Sequence, residues 1–95
     1  SPTTRKFSIK EIKVEGNTVL KKEIDEIKKR CQENNKCEYT FENLIELRTE
    51  ITQLYINNGY VNSGAFISPD NNDNFANGII VIQVVEGRLE GIQID

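Results

Sequence analysis

From Phe7 to Glu15 the chain carries two alternating apolar pairs, Phe7/Ile9 and Ile12/Val14, separated by one extra polar residue. Alternation places successive side chains on opposite faces of a strand, and an extra residue resets the phase. The pattern therefore predicts a first strand with a bulge or sharp twist near Lys10 and Glu11. Gly16-Asn17 breaks it, and Leu20, Ile24, Ile27 and Cys31 then recur at i, i+4, i+7 and i+11, one stripe of a helix of about three turns. Asp25 with Lys29 and Glu26 with Arg30 supply i,i+4 charge pairs on its solvated side.

Residues 32–38 are polar and turn-rich, and Thr40 is the expected N-cap of a longer helix reaching Asn58. Leu44, Leu47, Ile51, Leu54 and Tyr55 form its apolar face, and Gly59 is the expected left-handed stop. Two helices joined by a short loop pack antiparallel. A second strand is expected over Val61–Ser68, a hairpin loop over Pro69–Gly78, and a strongly apolar third strand over Ile79–Val85. Following the chain up and down makes the third strand parallel to the first and antiparallel to the second. The most apolar strand belongs in the middle, so the order is first, third, second, with both helices on one face. The expected fold is α+β, a two-layer βααββ domain with a three-stranded mixed sheet.

Residues 1–6 read as a linker and 7–87 as the domain. Leu89, Ile92 and Ile94 resume strand-like alternation, so 88–95 reads as a linker or the start of a following unit. The chain has 95 residues, enough for one modest core. Its start carries neither a basic nor an apolar leader pattern, which places any export signal upstream. The formal charge of −3 arises from 12 basic and 15 acidic residues that are interleaved. Nucleic acid is a poor match for such a surface, because phosphate binding needs concentrated Lys and Arg. The sequence has no His, which removes the usual general base and the commonest metal ligand, so no catalytic residues, metal or cofactor are assigned.

Three segments carry a family resemblance: Val14-Glu15-Gly16-Asn17-Thr18-Val19-Leu20; Tyr55 with Asn58-Gly59-Tyr60-Val61-Asn62-Ser63-Gly64-Ala65; and Gly78 to Leu89, ending Val84-Val85-Glu86-Gly87-Arg88-Leu89. In that order and on that element pattern the chain resembles the POTRA (polypeptide-transport-associated) domain of two-partner secretion transporters, the haemolysin-activator type, also found in related cyanobacterial outer-membrane proteins. Lys21 stands where that family usually has a small helix-capping residue, and Ser68-Pro69-Asp70 replaces its usual proline-glutamine pattern. The resemblance implies a periplasmic, non-enzymatic domain next to a further POTRA domain and a C-terminal transmembrane β-barrel. It further implies a secreted client polypeptide, received by strand addition and passed to the barrel.

Under that reading the client-binding edge is the second strand: Asn62, Ser63, Gly64, Ala65, Phe66 and Ile67 include no charge and no proline, the residues that normally guard an edge. The bland alternative is a short edge covered by the Pro69–Gly78 loop. On the third strand, Ile79, Val81 and Val85 lie opposite the helix-facing residues. They form a candidate partner face, or else ordinary apolar surface. Cys31 and Cys37 are separated by five intervening residues across the interhelical turn. In an oxidising periplasm they are expected to form a disulfide; the alternative is two unrelated thiols. Asp70, Asn72 and Asn74 sit at positions 1, 3 and 5 of a calcium-type loop, but Phe75 and Val81 replace the required Gly and Glu, which favours a solvated turn. Glu42, Glu46 and Glu50 form a solvated face of the second helix.

Two other roles match parts of the sequence. Gln83-Val84-Val85-Glu86-Gly87 fits the QxVxG signature of cystatin protease inhibitors, although there it forms a hairpin tip after a single helix. A POTRA-like scaffold of the cell-division type would keep the fold and bind a membrane partner instead of a transported client.

Overall fold

A computed structural model describes residues 5–32, 37–68 and 71–87, with side chains left undescribed at 71–73. In chain order the elements are β1 (Phe7–Ser8), β2 (Glu11–Glu15), α1 (Lys21–Lys28), β3 (Glu38–Tyr39), α2 (Phe41–Asn57), β4 (Gly64–Ile67), α3 (Asn71–Ala76) and β5 (Ile79–Val85). β2, β5 and β4 lie side by side in that order, and β1 pairs with β3 in a separate two-stranded sheet. The domain is mixed α+β, and the described residues form five strands in two sheets and three helices where three strands and two helices were expected.

The apolar segment at Ile79–Val85 is the central strand. It runs parallel to β2, with Ile12 opposite Ile80 and Val14 opposite Ile82, and antiparallel to β4, with Ala65 opposite Val84 and Ile67 opposite Ile82. These residues share one face and pack with Ile24 and Ile27 of α1 and Leu44, Leu47, Ile51 and Tyr55 of α2 in one core cluster. Each fully buried side chain of this kind contributes roughly 1.5–3 kcal/mol.

Three expectations about the strands and the loop between them need correction. The first apolar segment is two strands in two sheets rather than one bulged strand. Ile9 N–H donates to the Cys37 carbonyl at 2.8 Å, whereas Lys10 and Glu11 N–H both reach the Gly78 carbonyl, so the chain changes partners at the extra polar residue. The second strand starts at Gly64 and not at Val61; Val61 and Asn62 lie in a turn. The stretch expected as a hairpin loop contains α3, anchored by buried Phe75, whose ring lies 4.4 Å from that of Phe7. Pro69 and Asp70 lie outside the described residues, as do 1–4, 33–36 and 88–95.

α1 is shorter than its stripe: Leu20 precedes it in the left-handed region and Cys31 follows its last turn. Arg30 therefore reaches across to α2, where its guanidinium takes both carboxylate oxygens of Glu50 at 2.9 and 2.5 Å, instead of pairing with Glu26. Asp25 pairs with Lys28 at 3.8 Å and not with Lys29. α2 begins as expected. The Thr40 hydroxyl accepts from Asn43 N–H and the Asn43 side-chain oxygen accepts from Thr40 N–H, each at 3.0 Å, a reciprocal cap.

Cys31 and Cys37 are both buried and joined as a disulfide, with Cα atoms 5.2 Å apart. The bridge ties the end of α1 to the start of β3. Replacing both with serine is expected to lower stability by about 2 kcal/mol by loop-closure entropy. Thermal melts of the oxidised wild type and the double variant measure it. Intact mass after alkylation without reductant should show no label on the wild type.

Candidate functional site

Ser68 N–H donates to the Val81 carbonyl at 3.3 Å, which fixes the phase of the ladder between β4 and β5. Bonded and non-bonded pairs alternate in an antiparallel ladder, so the N–H and C=O groups of Ala65 and Ile67 point away from β5 to the open side. Their side chains pack onto the helix-facing core, whereas Phe66 projects from the other face and is exposed.

α2 lies along this open side. The Thr52 hydroxyl accepts a hydrogen bond from Ala65 N–H at 2.9 Å, which marks the flank of the helix turned toward β4. With 100° per residue, Phe41, Ile45 and Ile56 fall on the same flank as Thr52. They are among the most exposed large apolar side chains of the described residues, at 53%, 37% and 36%. The opposite flank is polar. There Arg30, Glu38, Tyr39, Asn43, Glu46 and Glu50 line a hollow of about 190 Å³. The hydrogen bond to Glu50 raises the Arg30 pKa, the hydrogen bond from Arg30 lowers that of Glu50, and burial raises that of Tyr39. Its one cation, Arg30, is already taken by Glu50, and the hollow's volume is below that of ordinary ligand pockets.

At one end of the sheet the turn motifs converge on Glu86. Its carboxylate accepts from Thr18 N–H at 2.7 Å, the Thr18 hydroxyl at 2.6 Å, Val19 N–H at 3.2 Å and the Tyr55 hydroxyl at 2.7 Å. Burial opposes its ionisation, but the bonds from Thr18, Tyr55 and Val19 prevail and hold its pKa down to about 2. Burial first, and then the Glu86 hydrogen bond, push the Tyr55 hydroxyl pKa up. Beside this cluster Gly87 N–H donates to the Ser63 hydroxyl at 2.8 Å, stitching the start of β4 to the end of β5.

The expected edge residues thus separate into groups. Gly64 to Ile67 form the strand, with Ala65 and Ile67 presenting backbone to the open side. Ser63 is buried against Gly87, and Asn62 sits in the preceding turn. Of the expected partner face, Val81 is buried within the chain and Ile79 is half-buried, while Val85 stays 59% exposed. Gln83–Gly87 runs from the central strand into the Glu86 cluster rather than forming a hairpin tip. Among the described residues no three His, Cys, Asp or Glu side chains gather to hold a metal, and no helix is long and apolar enough to cross a membrane.

Thr52 and the Phe41/Ile45/Ile56 stripe were not singled out from the sequence. Their spacing was visible there, but they flank the buried stripe and read as its frayed border.

The family model for the POTRA domain, ShlB-type, matches residues 7–87. The chain is 29% identical over 89 residues to the outer membrane transporter CdiB of Dickeya dadantii (strain 3937), covering 94% of this chain and 15% of that protein's length. The solved structure of CdiB from Escherichia coli superimposes with a TM-score of 0.68 at 28% identity, over 88% of this chain and 15% of that one.

Proposed function

Because the chain belongs to the ShlB-type POTRA domain family, we propose that it is a periplasmic polypeptide-binding domain of an outer-membrane β-barrel transporter for two-partner secretion, which takes an extended client segment onto the open side of β4. Residues 7–87 would form the working unit, with a further POTRA domain and the barrel as its neighbours in the same protein. The observation that carries the reading is the pairing of an edge strand free of charge and proline with an exposed apolar flank on the adjacent helix. The backbone of Ala65 and Ile67 offers ladder bonds, and Phe41, Ile45 and Ile56 offer apolar surface to every second side chain of an added strand. The role is one of binding without turnover. Val85, with Ile79 at its side, is the proposed contact for a neighbouring domain.

An eight-residue peptide of alternating valine and threonine, titrated into the isotopically labelled chain, tests the binding site. Amide shifts are expected along Gly64–Ile67 and the Thr52 flank of α2. Ile45→Asp and Ile56→Asp should each weaken binding about tenfold, or 1.4 kcal/mol. Phe66→Asp, which puts a charge on the edge strand itself, should weaken it as well. Shifts confined to α1 or α3, or no binding at all, would reject the edge as the acceptor.

A further inference from the structure

We infer that Thr52 is a built-in competitor for the strand that joins β4, so that its hydroxyl lowers the affinity of the edge; this rests on the reading of β4 as the receiving strand. The Thr52 hydroxyl already fills the acceptor position on Ala65 N–H at 2.9 Å, in a part-buried setting. An added strand lies about 4.7–4.9 Å away and brings a carbonyl to the same N–H. One N–H directed along one line serves one good acceptor, so the hydroxyl must turn aside as the strand arrives. The domain then exchanges one hydrogen bond for another at Ala65 and gains little at that position.

The geometry explains how an unguarded edge is kept from indiscriminate pairing without charge or proline on the strand itself. The guard is a side chain of the neighbouring helix, which can rotate away, whereas proline or a bulge would close the edge permanently. It also defines the ligand: an extended polypeptide able to supply a carbonyl opposite Ala65 while its side chains meet the apolar flank. A segment with proline is tolerated wherever its missing N–H does not face β4.

The test uses the 95-residue chain and the same valine/threonine peptide. Thr52→Val keeps the branched shape and removes the acceptor, leaving Ala65 N–H without its partner in the free chain; the peptide should then bind about fivefold more tightly, the worth of one neutral hydrogen bond. Thr52→Ser retains the hydroxyl and should bind within about twofold of wild type on the same reasoning. Thr52→Ala removes hydroxyl and methyl together and must also bind more tightly than wild type. In the free chain, hydrogen exchange at Ala65 should quicken in the Val and Ala variants and not in the Ser variant. Tightening confined to Thr52→Val would trace to apolar contact and overturn the competitor role. Unchanged or weaker binding by folded Val and Ala variants, with shifts still on β4, would overturn it and leave the edge reading standing. Binding that maps away from β4, or that is absent in all variants, would remove both.

Discussion

Replacing Glu86 with alanine is expected to destabilise the domain by about 3 kcal/mol, because a charged acceptor of several hydrogen bonds disappears and its donors lose their partner. For a domain of this size that lowers Tm by roughly 12–24 °C. The Tyr55 ring is fully buried, so its hydroxyl has no ready access to bulk water once the carboxylate is gone. Thr18 and Val19 lose their contacts at the same time, which frees the turn that starts α1. The pH dependence carries a sign. The folded pKa of about 2 lies below the unfolded value of ~4.3, so this stability is fully present above roughly pH 5 and is lost as pH falls through about 2. Glu86→Gln, which cannot ionise, should therefore be less stable than wild type by a constant margin near neutrality, and the margin should shrink in acid. Denaturant melts at pH 7, 4 and 2.5 measure it; a margin independent of pH would show that ionisation of Glu86 contributes nothing.

Gly16→Ala is expected to cost as much or more. Gly16 has φ +92° and follows directly on the last paired residue of β2. A Cβ there would run into the carbonyl oxygen of Val84, a backbone atom of the central strand that cannot turn away as a side chain would. Backbone strain of about 1–3 kcal/mol adds to separation of the β2 and β5 strand ends, so a loss of about 3–5 kcal/mol is expected, a large share of the 5–15 kcal/mol typical of a whole domain. Gly59→Ala is the comparison: φ is +95° there, but nothing lies within 4 Å of the added carbon, so only the strain should appear. Equal melting temperatures for the two variants would show that the approach to Val84 relaxes at no cost.

These two residues show where sequence reading succeeds and stops. The 3.6-residue rhythm of α2 and the apolar run of β5 are local signals, backed by the Thr40 cap and Gly59, and they place the core. Glu86 meets Thr18 across 68 residues of chain, a relation that no period along the sequence reports. Sequence similarity to a family marked both segments without giving the reason. β1 and β3 are two residues each, too short to show alternation, and their pairing depends on where the disulfide holds Cys37. α3 hides in an Asp/Asn-rich stretch whose composition favours turns, with Phe75 as its apolar anchor in the core. At the candidate edge, the absence of charge on Gly64–Ile67 was legible. Its use by Thr52 was not, because the contact depends on how α2 lies against the sheet.

The parallel pairing of β2 with β5 has a mechanical consequence. Tension applied between residue 5 and residue 87 would first load the short pairing of β1 with β3, two residue pairs continued by the Ile9 N–H bond to Cys37. The load would then pull β2 by its leading end and its parallel neighbour β5 by its trailing end, in opposite directions. Every backbone bond between Glu11–Glu15 and Ile79–Gln83 would be strained together instead of in succession. Glu86, just beyond the pulled end of β5, bolts that end to Thr18 and Tyr55 and so stands in the direct line of force. β4 lies on the far side of β5 from β2, outside the strand pair that is sheared. A pull that travels along the chain through residues 5 and 87 would thus be borne first by the β2–β5 pair, and the bond from Gly87 to Ser63 would pass part of it to the start of β4.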